Sequence, residues 1–534
     1  MKKWSILLFC ALGCASALAH DMHDHAAITG EELGKVHFPV SCATAEAKPF
    51  ERGVALLHSF WYEEAGKQFE AIAKQDPHCA MAHWGIAMSS WHQLWNHPGD
   101  DTIKAGREQV IKAEALHAKT ARERAYILAM HEFYAPEKAD YQARANGYSA
   151  QMEKVHQQYS DDKEAAAFYA LSLLASEPEG DTTFSNRKKA AAVLEPLFAS
   201  ETDHPGVAHY LIHAYDKPQL AEQGLTAARR YAKIAPASAH AVHMPSHIFA
   251  RLGLWQDDIN SNLSSIAITR KASGMHMGGA GHQFHAMDFL VYAYLQTGRE
   301  ADAQKVIDEV SSMPKMEDSA DVGYDVSSYA KAEFPAVYDL EMHHFADAAA
   351  LQPVPGANND TNAITYYARA LGAARSGKIQ QAHEDVAKLQ SFEQQASSEK
   401  KVGLADSIAE DRKAAQAWID HAEGNDTAAL ASLRQVAEKA EAAGDEPGSL
   451  PAREMLADML MEMKRPEQAL AEYQTDLKFN PNRFGGLSGA ARAAELAGKT
   501  DQANAYYAQL VEVCSGSSSD RPELQHAREL LAKE

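Results

Sequence analysis

Leu456-Ala-Asp-Met-Leu-Met-Glu-Met-Lys-Arg-Pro-Glu-Gln-Ala469-Leu-Ala-Glu-Tyr473 runs on to Asn480-Pro481, and the pattern then starts again. The second copy reads Ala491-Arg-Ala-Ala-Glu-Leu-Ala-Gly498, followed by Asp501-Gln-Ala503 and Tyr507. Ala469 to Ala503 and Tyr473 to Tyr507 are both spaced by 34 residues. Each copy holds two helix-length stretches with apolar residues three and four apart, separated by a turn. A small residue early in the second stretch lets the paired helices approach closely. Such a unit cannot bury its apolar face alone, so a repeated unit implies stacked neighbours.

This pattern resembles the tetratricopeptide repeat, in which two antiparallel helices are followed by a stop at proline. Upstream, Glu64-Ala65, Phe69 and Asp76-Pro77 mark one second helix, and Gly224, Ala228 and Ala235-Pro236 mark another. Gly253, Gly298, Gly377 and Gly424 stand where turns between paired helices belong. Residues 165–174 and 188–198 show helical spacing without breakers, and no segment shows sustained strand alternation. The expected fold is all-α, a right-handed superhelical solenoid of antiparallel helix pairs. The resemblance covers most of residues 49–534 and is loosest near 100–160. Leu351-Gln-Pro-Val-Pro-Gly-Ala-Asn-Asn-Asp360 reads as a loop. It divides an N-terminal array, 49–346, from a C-terminal one, 362–534, with a linker at 347–361. Residues 311–334 read as irregular.

The N-terminus carries an address. Lys2-Lys3, the apolar run from Trp4 to Leu12 and Ala17-Leu18-Ala19 have the form of an export signal cut after Ala19, leaving a tail over 20–48. A competing reading takes Ala11-Leu12-Gly13-Cys14 as an imperfect lipobox that would anchor the chain through Cys14. Either way the resemblance is to exported bacterial tetratricopeptide-repeat proteins, periplasmic or secreted. An oxidising compartment suits a Cys42–Cys79 bridge and leaves Cys514 as the odd thiol. A formal charge of −22 argues against a nucleic-acid partner. A repeat scaffold of this kind implies a protein or peptide partner.

Histidine is the residue out of place. Three consecutive helical segments read His209-Tyr-Leu-Ile-His213, His240-Ala-Val-His243-Met-Pro-Ser-His247 and His282-Gln-Phe-His285. Separations of three and four put side chains on one helix face, and imidazole is the commonest protein metal ligand. Counting back from Pro236 makes 207–215 a first helix, and counting back from Gly298 places His285, Asp288 and Tyr292 on the equivalent face of a later one. Ser238 is a good cap for the helix between them. In a tetratricopeptide array these faces line the concave groove, so the resemblance implies a continuous His-rich groove wall.

A transition metal, zinc or copper, would need three or four of these ligands. His209, His213, His243 and His247 form the leading set, with His240, His282, His285 and Asp288 beside them. Met244, Met275, Met277 and Met287 would favour copper, and His20-Asp-Met-His-Asp-His25 is a second metal-binding tract or a polar tail. Pro245 either kinks a helix begun at Ser238 or opens a helix begun at Met244, leaving His240 and His243 in a loop. His58, Trp61, Trp84, His92 and Tyr292 form a candidate ligand groove, against the alternative of plain core packing. No His-Glu-x-x-His, Gly-x-Ser-x-Gly, phosphate-loop or dinucleotide motif occurs, and 274–281 reads as a loop. A metal hydrolase with Asp216 or Asp288 as base, and a purely structural assembly protein, are the rival readings.

Overall fold

In a computed structural model the chain is described over residues 32–533, apart from 96, 275–279, 315–324 and 445–446. The proposed signal, Cys14, the His20–His25 tract, Met275, Met277 and most of the 274–281 loop lie outside the described residues. Helices follow one another from Ala47–His58 and Tyr62–Gln75 through to Pro522–Leu531, with no strand among the described residues. Each helix packs on the next, and first helices touch first helices of the following pair. The protein is an all-α, tetratricopeptide-like solenoid.

The repeat positions do the packing that the sequence assigns them. Ala469, Tyr473, Ala503 and Tyr507 are all buried. The Tyr473 ring lies where a side chain at Gly489 would be, with a Cβ there only 2.3 Å from it. A larger residue would push the helices apart. The region near 100–160, where the resemblance is loosest, is helical too, as Asp100–Ala115, Ala121–Tyr134 and Tyr141–Gln158.

Gly253 shows why one turn glycine is irreplaceable. Its φ is +63°, and a Cβ there would sit 2.2 Å from the Pro481 carbonyl oxygen. Asn482 Nδ2 donates to the Gly253 carbonyl at 3.2 Å, and Trp255 Nε1 donates to that of Asn482 at 2.8 Å. The neighbouring Arg483 is fully buried, donating to Glu454 at 3.0 Å, to Glu341 at 2.9 Å and to the Tyr292 hydroxyl. These contacts tie the middle of the array to its C-terminal part.

Residues 349–358 are non-helical, but Ala348 and Ala349 share a core with Leu371, and Arg369 holds the Leu351 carbonyl at 2.9 Å. Residues 325–334 depart from their irregular reading, while 315–324 lie outside the described residues. A helix spans Val326–Glu341 with Pro335 inside it, capped by Asp325, because burial of Ala330, Phe334 and Val337 outweighs the lost hydrogen bond. The segment before the first helix is a strap rather than a tail. Phe38 is buried against Phe50, Trp84 and Tyr126, and Cys42 is disulfide-bonded to Cys79. Cys514 is free and buried.

Candidate metal centre

Four local structures aim the central histidines. The helix Pro205–Tyr215 begins with proline in its first turn and His204 as its cap, and carries His209 and His213 on one face. Ser238 caps the short helix Ala239–His243, accepting from the Ala241 N–H at 3.2 Å. The chain then breaks at Met244, and Pro245 opens a new helix, Pro245–Arg251, where its missing N–H costs nothing. His240 and His243 are therefore helical, neither in a loop nor on one long kinked helix. His282 and His285 lie near the start of the helix Ala280–Gln296.

The histidines gather as two sets of three, not as the leading set of four. His209, His213 and His240 bring one nitrogen each to within 4.8 Å of one another, and so do His243, His247 and His285. In the first triad His209 Nε2 lies 3.0 Å from His240 Nε2 and 3.0 Å from His213 Nε2. In the second, His243 Nε2 and His247 Nε2 are 3.1 Å apart, with the His285 ring 4.6 Å from that of His243. His282 stands beside the first triad, its ring 5.1 Å from His240. Asp288 belongs to neither triad; its charge acts on Glu333 instead.

Hydrogen bonds on the far side of the rings decide where the protons sit. His209 Nδ1 donates to the His58 carbonyl at 2.6 Å. His247 Nδ1 donates to Asp216 at 3.0 Å, and Arg251 holds the other oxygen of that carboxylate at 2.9 Å. His243 Nδ1 donates to Asn262 Oδ1 at 2.7 Å, whose amide is oriented by donating to Asp258 at 2.7 Å. With Nδ1 protonated, each of these rings presents its lone pair at Nε2. As neutral rings, His243 and His247 point lone pair at lone pair across 3.1 Å. In the first triad His209 Nε2 can accept from only one of its two neighbours, and His240 Nδ1 is buried without a partner among the described residues. Convergent lone pairs repel unless a cation lies between them. Ligand nitrogens 2.0–2.1 Å from a zinc-sized ion stand about 3.3–3.5 Å apart, within a few tenths of an ångström of the His209–His213, His209–His240 and His243–His247 separations.

Most of these rings are buried, where the resemblance implied a wall lining an open groove. His209, His240, His243 and His247 are all less than 8% exposed, while His213, His282 and His285 are half-buried. Phe60 packs on His209 at 4.3 Å, Tyr231 stacks on it at 5.0 Å, and Phe289 covers His247 at 4.7 Å. Phe60 adopts φ +51°, a left-handed conformation that costs a bulky residue on the order of 1 kcal/mol or more. Burial holds the His209 imidazole down at about 3 and that of His282 at about 4. It also holds His213, His240 and His243 well below 6.5, with neighbouring imidazoles adding to the effect. These rings are neutral at pH 7, the form that binds metal.

A third cluster is built differently. His58 Nε2 donates to Glu164 at 2.7 Å while its Nδ1 accepts from the Tyr210 hydroxyl at 2.8 Å. His204 Nε2 donates to the other Glu164 oxygen at 3.0 Å, and its Nδ1 accepts from the Val207 N–H at 3.3 Å. Every ring nitrogen has a complementary partner, so the cluster holds structure and offers no free lone pair.

The ligand-groove set does not form a groove. His58 belongs to the saturated cluster, and Trp84 is core, 1% exposed, touching Phe50, Phe69 and Phe168. Tyr292 is buried with Arg483. Trp61 is half-buried against the core, whereas His92 stacks on Tyr62 at 4.4 Å beside a cleft of about 520 Å³. Aromatic bulk at helical spacing reads the same for core as for groove, and here the core took it. The partners missed in the sequence, Asn262, Phe60, Tyr231 and the His58 carbonyl, carry no local signal at the histidines.

No family model matches the chain, and no curated protein matches it. Among solved structures, a monomeric IFIT1 mutant with Gppp-AAAA matches with a TM-score of 0.36 and 11% identity, over 90% of this chain and 98% of that one. The human IFIT1 dimer with PPP-AAAA matches with a TM-score of 0.36 and 10% identity, over 82% of this chain and 91% of that one. No property of this chain follows from likenesses so distant.

Proposed function

We propose that this protein is an exported repeat scaffold that binds a transition metal through the two central His triads and displays the surrounding array to a protein or peptide partner. One observation carries the metal reading. His243 and His247 are held by Asn262 and Asp216 so that, as neutral rings, their lone pairs face each other at 3.1 Å inside the protein. Holding neutral, desolvated lone pairs together costs free energy that a bound cation returns. Export is supported by the Cys42–Cys79 disulfide, a bond that persists in oxidising compartments.

A hydrolase reading finds less support. Asp216 spends both oxygens on His247 and Arg251, so it orients a ligand and is not free to act as a base. Metal analysis of protein purified from its native compartment tests the proposal, alongside a His209→Ala/His243→Ala/His247→Ala variant. The wild type is expected to retain about one equivalent or more and the variant almost none. Less than about a tenth of an equivalent in the wild type, even after metal addition, removes the metal reading.

A further inference from the structure

Resting on that metal reading, we infer that the two triads form one binuclear centre for a pair of copper(I) ions. Both triads draw on a single short helix. His240 serves the first and His243 the second, and their rings are 6.4 Å apart. A separation of three residues on one helix face makes these positions neighbours. The helix Ala280–Gln296 repeats the arrangement, with His282 5.1 Å from His240 and His285 4.6 Å from His243. Two ions, one in each triad, would be held side by side between the same helices.

The ligand set favours the monovalent ion. All six triad ligands are imidazoles, which add no charge of their own when they hold a metal, and no carboxylate or thiolate is among them. The carboxylate bonded to His247, Asp216, is already matched by Arg251 at 2.9 Å. Repulsion between two ions scales with the product of their charges, so two dications would repel four times as strongly as two monocations at the same distance. Phe60 and Tyr231 pack on His209 and Phe289 on His247, an apolar lining that offers no charge to the bridging hydroxide or other anions that a pair of dications would require. Imidazole serves copper and zinc alike, so charge is what separates them here.

Titration of the apo-protein with copper(I), anaerobically with ascorbate and against a chromogenic copper(I) chelator, tests the pairing. The wild type is expected to take up two ions per chain. His213→Gln and His247→Gln are each expected to take up one, and the retained ion shows that the centre is still folded. A variant with both substitutions measures what Cys514 and the N-terminal histidines contribute, and that amount is subtracted. One copper ion in the wild type, or loss of both from either single variant with unchanged far-UV circular dichroism, overturns the pairing and leaves the metal reading standing. Two zinc ions bound in place of copper(I) overturn the choice of ion alone. No uptake of any metal removes the proposed function together with this inference.

Discussion

Two histidine clusters lie within one fold, and they differ in how their rings are satisfied. Around Glu164, His58 and His204 each donate from one nitrogen and accept at the other, so the buried polar atoms balance. One carboxylate, the Tyr210 hydroxyl and the Val207 N–H achieve that. In the central triads the Nδ1 protons of His209, His243 and His247 are drawn outward to acceptors, and the lone pairs turn inward. Both places bring imidazoles close together inside the protein; the outer partners separate a structural knot from the proposed metal centre. The lesson is that buried histidines are read by their second nitrogen.

The largest expected effect breaks the balanced cluster. Burial would push the Glu164 carboxyl up, but His204 and His58 beside it hold it well below the usual carboxylate range. Glu164→Ala leaves two buried imidazoles without their acceptor and is expected to cost about 3–5 kcal/mol in denaturant unfolding. Added metal should stabilise this variant by the same increment as the wild type, because the triads are untouched. An unchanged unfolding midpoint would dissolve the contrast between the clusters.

Acid sharpens it next. His209 and His282 titrate near 3 and 4 when folded and near 6.5 when unfolded, so the unfolded chain binds more protons between those values. Apo-protein stability should therefore fall as pH drops below about 6.5, by about 2 kcal/mol per ring between pH 7 and 5. Metal-loaded protein should keep its melting temperature to a lower pH than apo-protein, since metal and protons compete for the same lone pairs.

The orienting residues come third. Asn262→Leu removes the acceptor that fixes the His243 tautomer, and metal affinity is expected to fall about 10–100-fold. Isothermal titration would show it, and an unchanged affinity would mean that the tautomer is fixed by other means. Smallest is Ser238→Ala, which uncaps the helix bearing His240 and His243 and should cost about 1 kcal/mol in thermal unfolding.

Much of this architecture is legible along the chain because it depends on local rules. The 34-residue recurrence of Ala469 and Tyr473 marks packing positions, and both sites are buried. Ser238 caps its helix, Gly253 and Gly298 are left-handed, and Cys42 meets Cys79. The histidines themselves stand out by spacing alone. Their division into triads does not, because it depends on the break at Met244 and on where neighbouring helices pass. The His58 carbonyl that orients His209 lies 151 residues away. Trp84 and Tyr292 were ambiguous for another reason: an aromatic side chain at helical spacing suits a core and a groove equally.

The claim that outer partners divide these clusters is tested most directly in crystals soaked with copper or zinc, by anomalous scattering at that metal's absorption edge. The account predicts peaks among the Nε2 atoms of His209, His213 and His240 and of His243, His247 and His285, with none at His58, Glu164 and His204. A peak at Glu164, or none at either central triad, would contradict it.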